Sequence, residues 1–185
     1  KTFVDWLDFA EGTADELPAL TYLSDELKNP PKLPEELIQG ILRCGHKMLI
    51  SGSSKAGKSF LLLELSIALS EGLTWLGFPC KKGKVLYVNL EIDPASCVDR
   101  FIKIYAALGI EPKHADDIVI WNLRGHAIPL NLLVPKLIRR IANQHFNAVI
   151  IDPIYKVITG DENNASEMGA FCNYFDRICA ETGCA

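Results

Sequence analysis

Short unbroken apolar runs alternate with longer mixed segments along this chain, and the two kinds of segment differ in periodicity. Residues 47–50 (Lys47-Met48-Leu49-Ile50), 84–90 (Lys84-Val85-Leu86-Tyr87-Val88-Asn89-Leu90), 118–121 and 148–151 (Ala148-Val149-Ile150-Ile151) are too short for helices. Each is followed by turn-forming or polar residues, which predicts four buried strands. Residues 59–71 are apolar on every side, so the helix they form should be largely buried, with Gly72 as its stop. A second helix is expected from Pro94 to about Leu108, with proline at a tolerated first position and Gly109 ending it. A third is expected over 132–144, with Pro135 in its first turn, and a last one over 165–182. Residues 35–42 read as a short helix ahead of the first strand.

Strands alternating with helices of ten or more residues point to right-handed crossovers and a mainly parallel sheet covered on both faces. The expected fold class is three-layer α/β. Residues 1–34 are polar and acidic and end in Asn29-Pro30-Pro31-Lys32-Leu33-Pro34, a connector that cannot be regular helix, so they read as an arm or linker. Residues 35–185 then form the domain, and 185 residues suit one core. The chain starts at Lys1 and stops at Ala185 just after a helical pattern, and it reads as a fragment or excised domain.

The formal charge of -4 argues against a surface wholly devoted to nucleic acid. Six cysteines (Cys44, Cys80, Cys97, Cys172, Cys179, Cys184) show no zinc spacing and read as reduced, mostly buried hydrophobes. No apolar stretch is long enough to span a bilayer and no signal core is present, so a soluble, cytoplasmic protein without membrane contact is expected.

The chemistry concentrates at Gly52-Ser53-Ser54-Lys55-Ala56-Gly57-Lys58-Ser59, which matches G-x-x-x-x-G-K-[ST] in full between a predicted strand and a predicted helix. Such a loop turns tightly on its glycines, points successive N–H groups at phosphate oxygens and is followed by the positive end of a helix dipole. The expected nucleotide contacts are Gly52, Ser53, Ser54, Lys55, Ala56, Gly57, Lys58, Ser59 and Phe60. Lys58 should reach the β- and γ-phosphates of ATP and Ser59 should ligate Mg²⁺.

Asp152 ends the apolar run 148–151, where an acidic residue at the carboxyl end of a buried strand holds the magnesium ion. Glu91 ends the run 84–90, on the sheet edge where open α/β folds bind ligands, and a carboxylate there can activate water. Asp93 is the competing base, and a loop carboxylate or a helix first turn is the structural alternative for Glu91.

Taken together, residues 47–59, 85–91 and Ile150-Ile151-Asp152-Pro153 resemble the RecA-like P-loop ATPases, and most of all the RepA-type hexameric replicative helicase group of plasmids and phages. The resemblance covers roughly residues 42–185. It implies a RecA-like three-layer α/β/α domain, a homo-hexamer in the full-length protein, DNA-dependent ATP hydrolysis to ADP and phosphate, and Glu91 as base. Gly160-Asp161-Glu162-Asn163 is also similar to a stretch common in that group. Its members continue into another core strand, DNA-contacting loops and an arginine finger, so the fold is expected to be truncated before the last core strands, with single-stranded DNA held by regions absent from this chain. A phosphotransferase and a nucleotide-dependent switch without turnover are the competing functions. Lys81-Lys82-Gly83-Lys84 reads as a solvated loop rather than a DNA contact.

Overall fold

The computed structural model describes residues 19–158 and 165–185. Residues 19–33 and the body that begins at Pro34 fall in separate units. In the first, a single helical turn, α1 (Leu23–Glu26), is followed by Lys28, which pairs with Asp25 at 2.7 Å.

The elements of the body are β1 (Glu36–Ile38), β2 (Leu42–Arg43), α2 (Lys58–Glu71), β3 (Thr74–Trp75), β4 (Phe78–Pro79), β5 (Val85–Asn89), α3 (Pro94–Leu108), β6 (Ile118–Asn122), α4 (Leu130–Ile141), β7 (Ala148–Asp152) and α5 (Ala165–Thr182). The main sheet has the order β6-β5-β7, and both pairings are parallel. Every residue of β5 is buried, as a central strand covered on both faces must be.

Alternation along the strands sends side chains to two separate cores. Val85 and Tyr87 of β5, with Ala148 and Ile150 of β7, pack with α2 and α3. Leu86 and Val88, with Val149 and Ile151, pack with α4 and α5. The result is a three-layer α/β/α arrangement around a parallel sheet. Val85 and Val88 are fully buried, and each such side chain contributes about 1.5–3 kcal/mol relative to exposure. Cys80, Cys97 and Cys184 are buried free thiols in these cores, Cys179 is a buried free thiol as well, and Cys172 is exposed.

Three sequence expectations are corrected. Residues 47–50 form no strand and belong to no sheet. The outer edge of β7 is occupied instead by the chain end, with Val149 N–H donating to Ala185 O at 2.7 Å and Ala185 N–H to Asn147 O at 2.9 Å. An apolar cavity separates 47–50 from β7, so no ladder forms, and Lys47 is anchored to Asp176 of α5 at 2.5 Å.

Residues 35–42 are not a helix but the start of the β1–β2 hairpin, which turns at Gly40 with φ 71. Extended backbone wins there because Leu37 and Ile38 are buried and their neighbours bond across to the next hairpin: Gln39 N–H to Pro79 O and Lys81 N–H to Leu37 O, both at 2.9 Å. The carboxylate of Glu36 ties the hairpin by accepting from Arg43 at 2.6 Å and from Gly40 N–H at 3.3 Å. The helix expected over 132–144 is α4, shifted toward the N-terminus, so that Pro135 lies inside it rather than in its first turn. The expected Gly160-Asp161-Glu162-Asn163 feature lies outside the described residues.

Candidate functional site

The glycine-rich loop enters α2 through Gly57, whose φ of 83 is a left-handed conformation that suits glycine. Gly57 offers no capping side chain, and no acidic residue sits in the first turn of α2. The opening N–H groups of this helix therefore carry their partial positive charge uncompensated by side chains. Residues 51–57 are exposed, so the loop backbone is accessible. The Lys58 ammonium reaches back over the loop and donates to the carbonyls of Gly52 and Ser53, each at 2.7 Å. Ser59 is half-buried at the second position of α2.

Phe60 is 45% exposed, and the Arg100 guanidinium stands 4.9 Å from its ring centroid. That stacking gives Phe60 a structural partner in α3.

Asp152 closes β7 and is only 5% exposed. Its Oδ2 accepts a 2.6 Å hydrogen bond from the hydroxyl of buried Tyr87. Burial, reinforced by the neighbouring carboxylate, pushes the Tyr87 phenol well above its ordinary pKa, so it stays a donor. Asp152 and Lys58 line one cavity of about 470 Å³, together with Ile50, Pro153 and Tyr155. The structure thus brings these two predicted residues to a shared space. Oxygen donors of the Ser59 and Asp152 type suit Mg²⁺. No group of three or more His, Cys, Asp or Glu side chains that could hold a metal occurs among the described residues. A cation here would take most of its ligands from phosphate and water.

Glu91 follows β5 on a short loop shaped by Asn89. The Asn89 amide donates to Ile92 O and to the Asn122 side chain, both at 2.7 Å, and its oxygen accepts from Ile92 N–H at 3.0 Å. The strand ends are also tied across, with Leu90 N–H donating to Asp152 O at 2.9 Å. The Glu91 carboxylate is exposed and accepts a hydrogen bond from the Tyr155 hydroxyl. It lines a second, polar cleft of about 410 Å³ with Arg124 and Lys156.

Asp93 has a different job. It caps α3, accepting from Ser96 N–H at 2.9 Å, with Arg124 3.8 Å away. The hydrogen bonds from Ser96 hold its carboxyl below the usual aspartate range.

Tyr87, Asn89 and Tyr155 were not legible as site residues in the sequence. A tyrosine and an asparagine inside an otherwise aliphatic strand are the one signal that could have found Tyr87 and Asn89, since buried polar groups need partners. The basic cluster is committed elsewhere: Lys81 pairs with Glu35, Lys82 Nζ meets His114 Nδ1 at 2.8 Å, and Lys84 stands 4.8 Å from the Phe146 ring centroid.

A family model described as an AAA domain matches residues 13–185 of the chain. Among solved structures, the crystal structure of the flagellar accessory protein FlaH from Methanocaldococcus jannaschii is similar at 17% identity, with a TM-score of 0.45 and 71% of this chain covered. The match covers 55% of that protein, so the chain spans about half its length. No curated protein matches.

Proposed function

The chain belongs to the AAA domain family, and from that premise we propose that it is the motor domain of a DNA-dependent, helicase-type ATPase of the RepA kind, converting ATP and water to ADP and phosphate. The loop from Gly52 to Ser59, with Phe60 behind it, binds the nucleotide. Its N–H groups and the Lys58 ammonium hold the β- and γ-phosphates. Ser59 and Asp152 are the protein's oxygen donors to Mg²⁺, which when bound neutralises phosphate charge.

Glu91 is the general base. It takes a proton from water as the water oxygen attacks the γ-phosphorus and the bond to the β-phosphate oxygen breaks. Single-stranded DNA as the moving partner, a homo-hexameric ring and a cytoplasmic location belong to this proposal through the RepA-type resemblance. The domain division at residue 34 belongs to it as well.

One observation carries the reading: α2 starts uncapped, its first residue Lys58 lays its ammonium over the glycine-rich loop, and Lys58 lines the same cavity as Asp152. The test is Mg·ATP binding and phosphate release with and without single-stranded DNA. Binding that requires Lys58, with release stimulated by DNA, is expected. Binding that survives Lys58→Ala overturns the site, release indifferent to DNA overturns the helicase assignment, and tight binding without release favours a switch.

A further inference from the structure

We propose that Tyr155 is a positioning residue for the Glu91 carboxylate, fixing it by a hydrogen bond so that its other oxygen faces water; this rests on the reading of Glu91 as the base. The two residues meet because of strand register. Asn89 and Asp152 are partners at the ends of β5 and β7, so the chain leaving each strand emerges beside the other. Glu91 lies two residues beyond Asn89, and Tyr155 lies in the 3-10 turn Ile154–Lys156 that begins two residues beyond Asp152.

The backbone under Glu91 is fixed by Asn89, but that does not fix the carboxylate. Its side chain has free torsions on an exposed loop, and a base that must take a proton in one direction loses rate when its oxygens wander. The Tyr155 hydroxyl supplies the restraint, donating to Glu91 Oε2 and leaving Oε1 for water. The phenol donates and the carboxylate oxygen accepts, and that bond in turn raises the tyrosine's pKa above its ordinary value. The tyrosine is held in turn: Lys156 Nζ lies 5.2 Å from the ring centroid, a cation–π contact that steadies the ring from its other partner.

Tyr155 also lines the cavity shared by Lys58 and Asp152, while Glu91 lines the cleft with Arg124 and Lys156. The hydrogen bond therefore joins the two halves of the site. A surface tyrosine that only packed would need no such placement, and at 57% exposure Tyr155 contributes little to the core.

The experiment is steady-state phosphate release by the Tyr155→Phe protein, which keeps the ring and its Lys156 contact and loses only the hydroxyl. A fall in kcat of about tenfold with KM for ATP, Mg·ATP affinity and thermal midpoint unchanged is expected. The same substitution should do nothing further in a Glu91→Gln background, because the group it positions is gone. Wild-type kcat in Tyr155→Phe, a rise in kcat, or an equal effect in both backgrounds overturns the proposal. Turnover that survives Glu91→Gln instead overturns the underlying assignment of the base, which separates the two failures.

Discussion

The Tyr87 hydroxyl donates to Asp152 Oδ2 at 2.6 Å from the neighbouring strand, inside the layer between the sheet and α3. A carboxylate that is 95% covered is costly unless it is hydrogen-bonded. The tyrosine satisfies that need and aims the acid at the strand end. Tyr87→Phe removes the donor while keeping the ring, including its edge-on contact with Phe101 at 5.9 Å. Urea unfolding should show a loss of about 1.5–3 kcal/mol with an unchanged m-value. A loss near zero would mean that Asp152 is solvated well enough without its partner.

Glu91 and Asp93 lie two residues apart, yet the structure gives them unlike surroundings: one faces a cleft, the other caps a helix. Glu91→Gln should preserve Mg·ATP affinity and lower phosphate release by roughly 10²-fold or more. Asp93→Asn should leave turnover close to wild type, since asparagine is an equally good cap. The reverse pattern in a phosphate-release assay would move the base to Asp93.

Asp93 also makes a prediction about acid stability. Its folded carboxyl is held below the usual value by the hydrogen bonds from Ser96, so the unfolded chain binds more protons near pH 4. The stabilisation from this residue is therefore complete above the unfolded pKa and is lost as pH falls through the lower, folded one. Thermal midpoints recorded from neutral pH down to about 3 should fall less steeply for Asp93→Asn than for wild type. Parallel curves would show that the cap is formed equally well by the neutral acid.

Much of this was readable from residues alone, for identifiable reasons. The five-residue strand β5 and helices α3 and α5 carry strong local signals, namely continuous burial and sharp stops, and they appear where the pattern puts them. The loop from Gly52 to Ser59 is a contiguous motif, so its position needs no tertiary knowledge. Residues 47–50 and 35–42 failed because what decides them is non-local. Pairing of 47–50 depends on which backbone comes to lie beside β7, and Leu37 bonds to Lys81, far along the chain. Tyr155 was invisible for the same reason: its meaning comes from the register between β5 and β7.

Gly57 allows the geometry of the loop to be tested apart from its charge. A Cβ added there would meet nothing within 4 Å, so Gly57→Ala carries no steric clash, only the strain of holding an L-residue at φ 83. That strain is about 1–2 kcal/mol, and the chain can relieve it by turning the peptide groups that flank residue 57. Relief of that kind would swing loop N–H groups away from the position they share at the start of α2, so Mg·ATP affinity should fall by about tenfold or more while Lys58 remains in place. Gly57→Asn should lose less, because asparagine tolerates the left-handed region better than alanine does. Titration of both variants with Mg·ATP gives the comparison. Equal, wild-type affinity in the two would mean that the phosphates are held by the Lys58 charge alone and that the backbone of the loop contributes nothing.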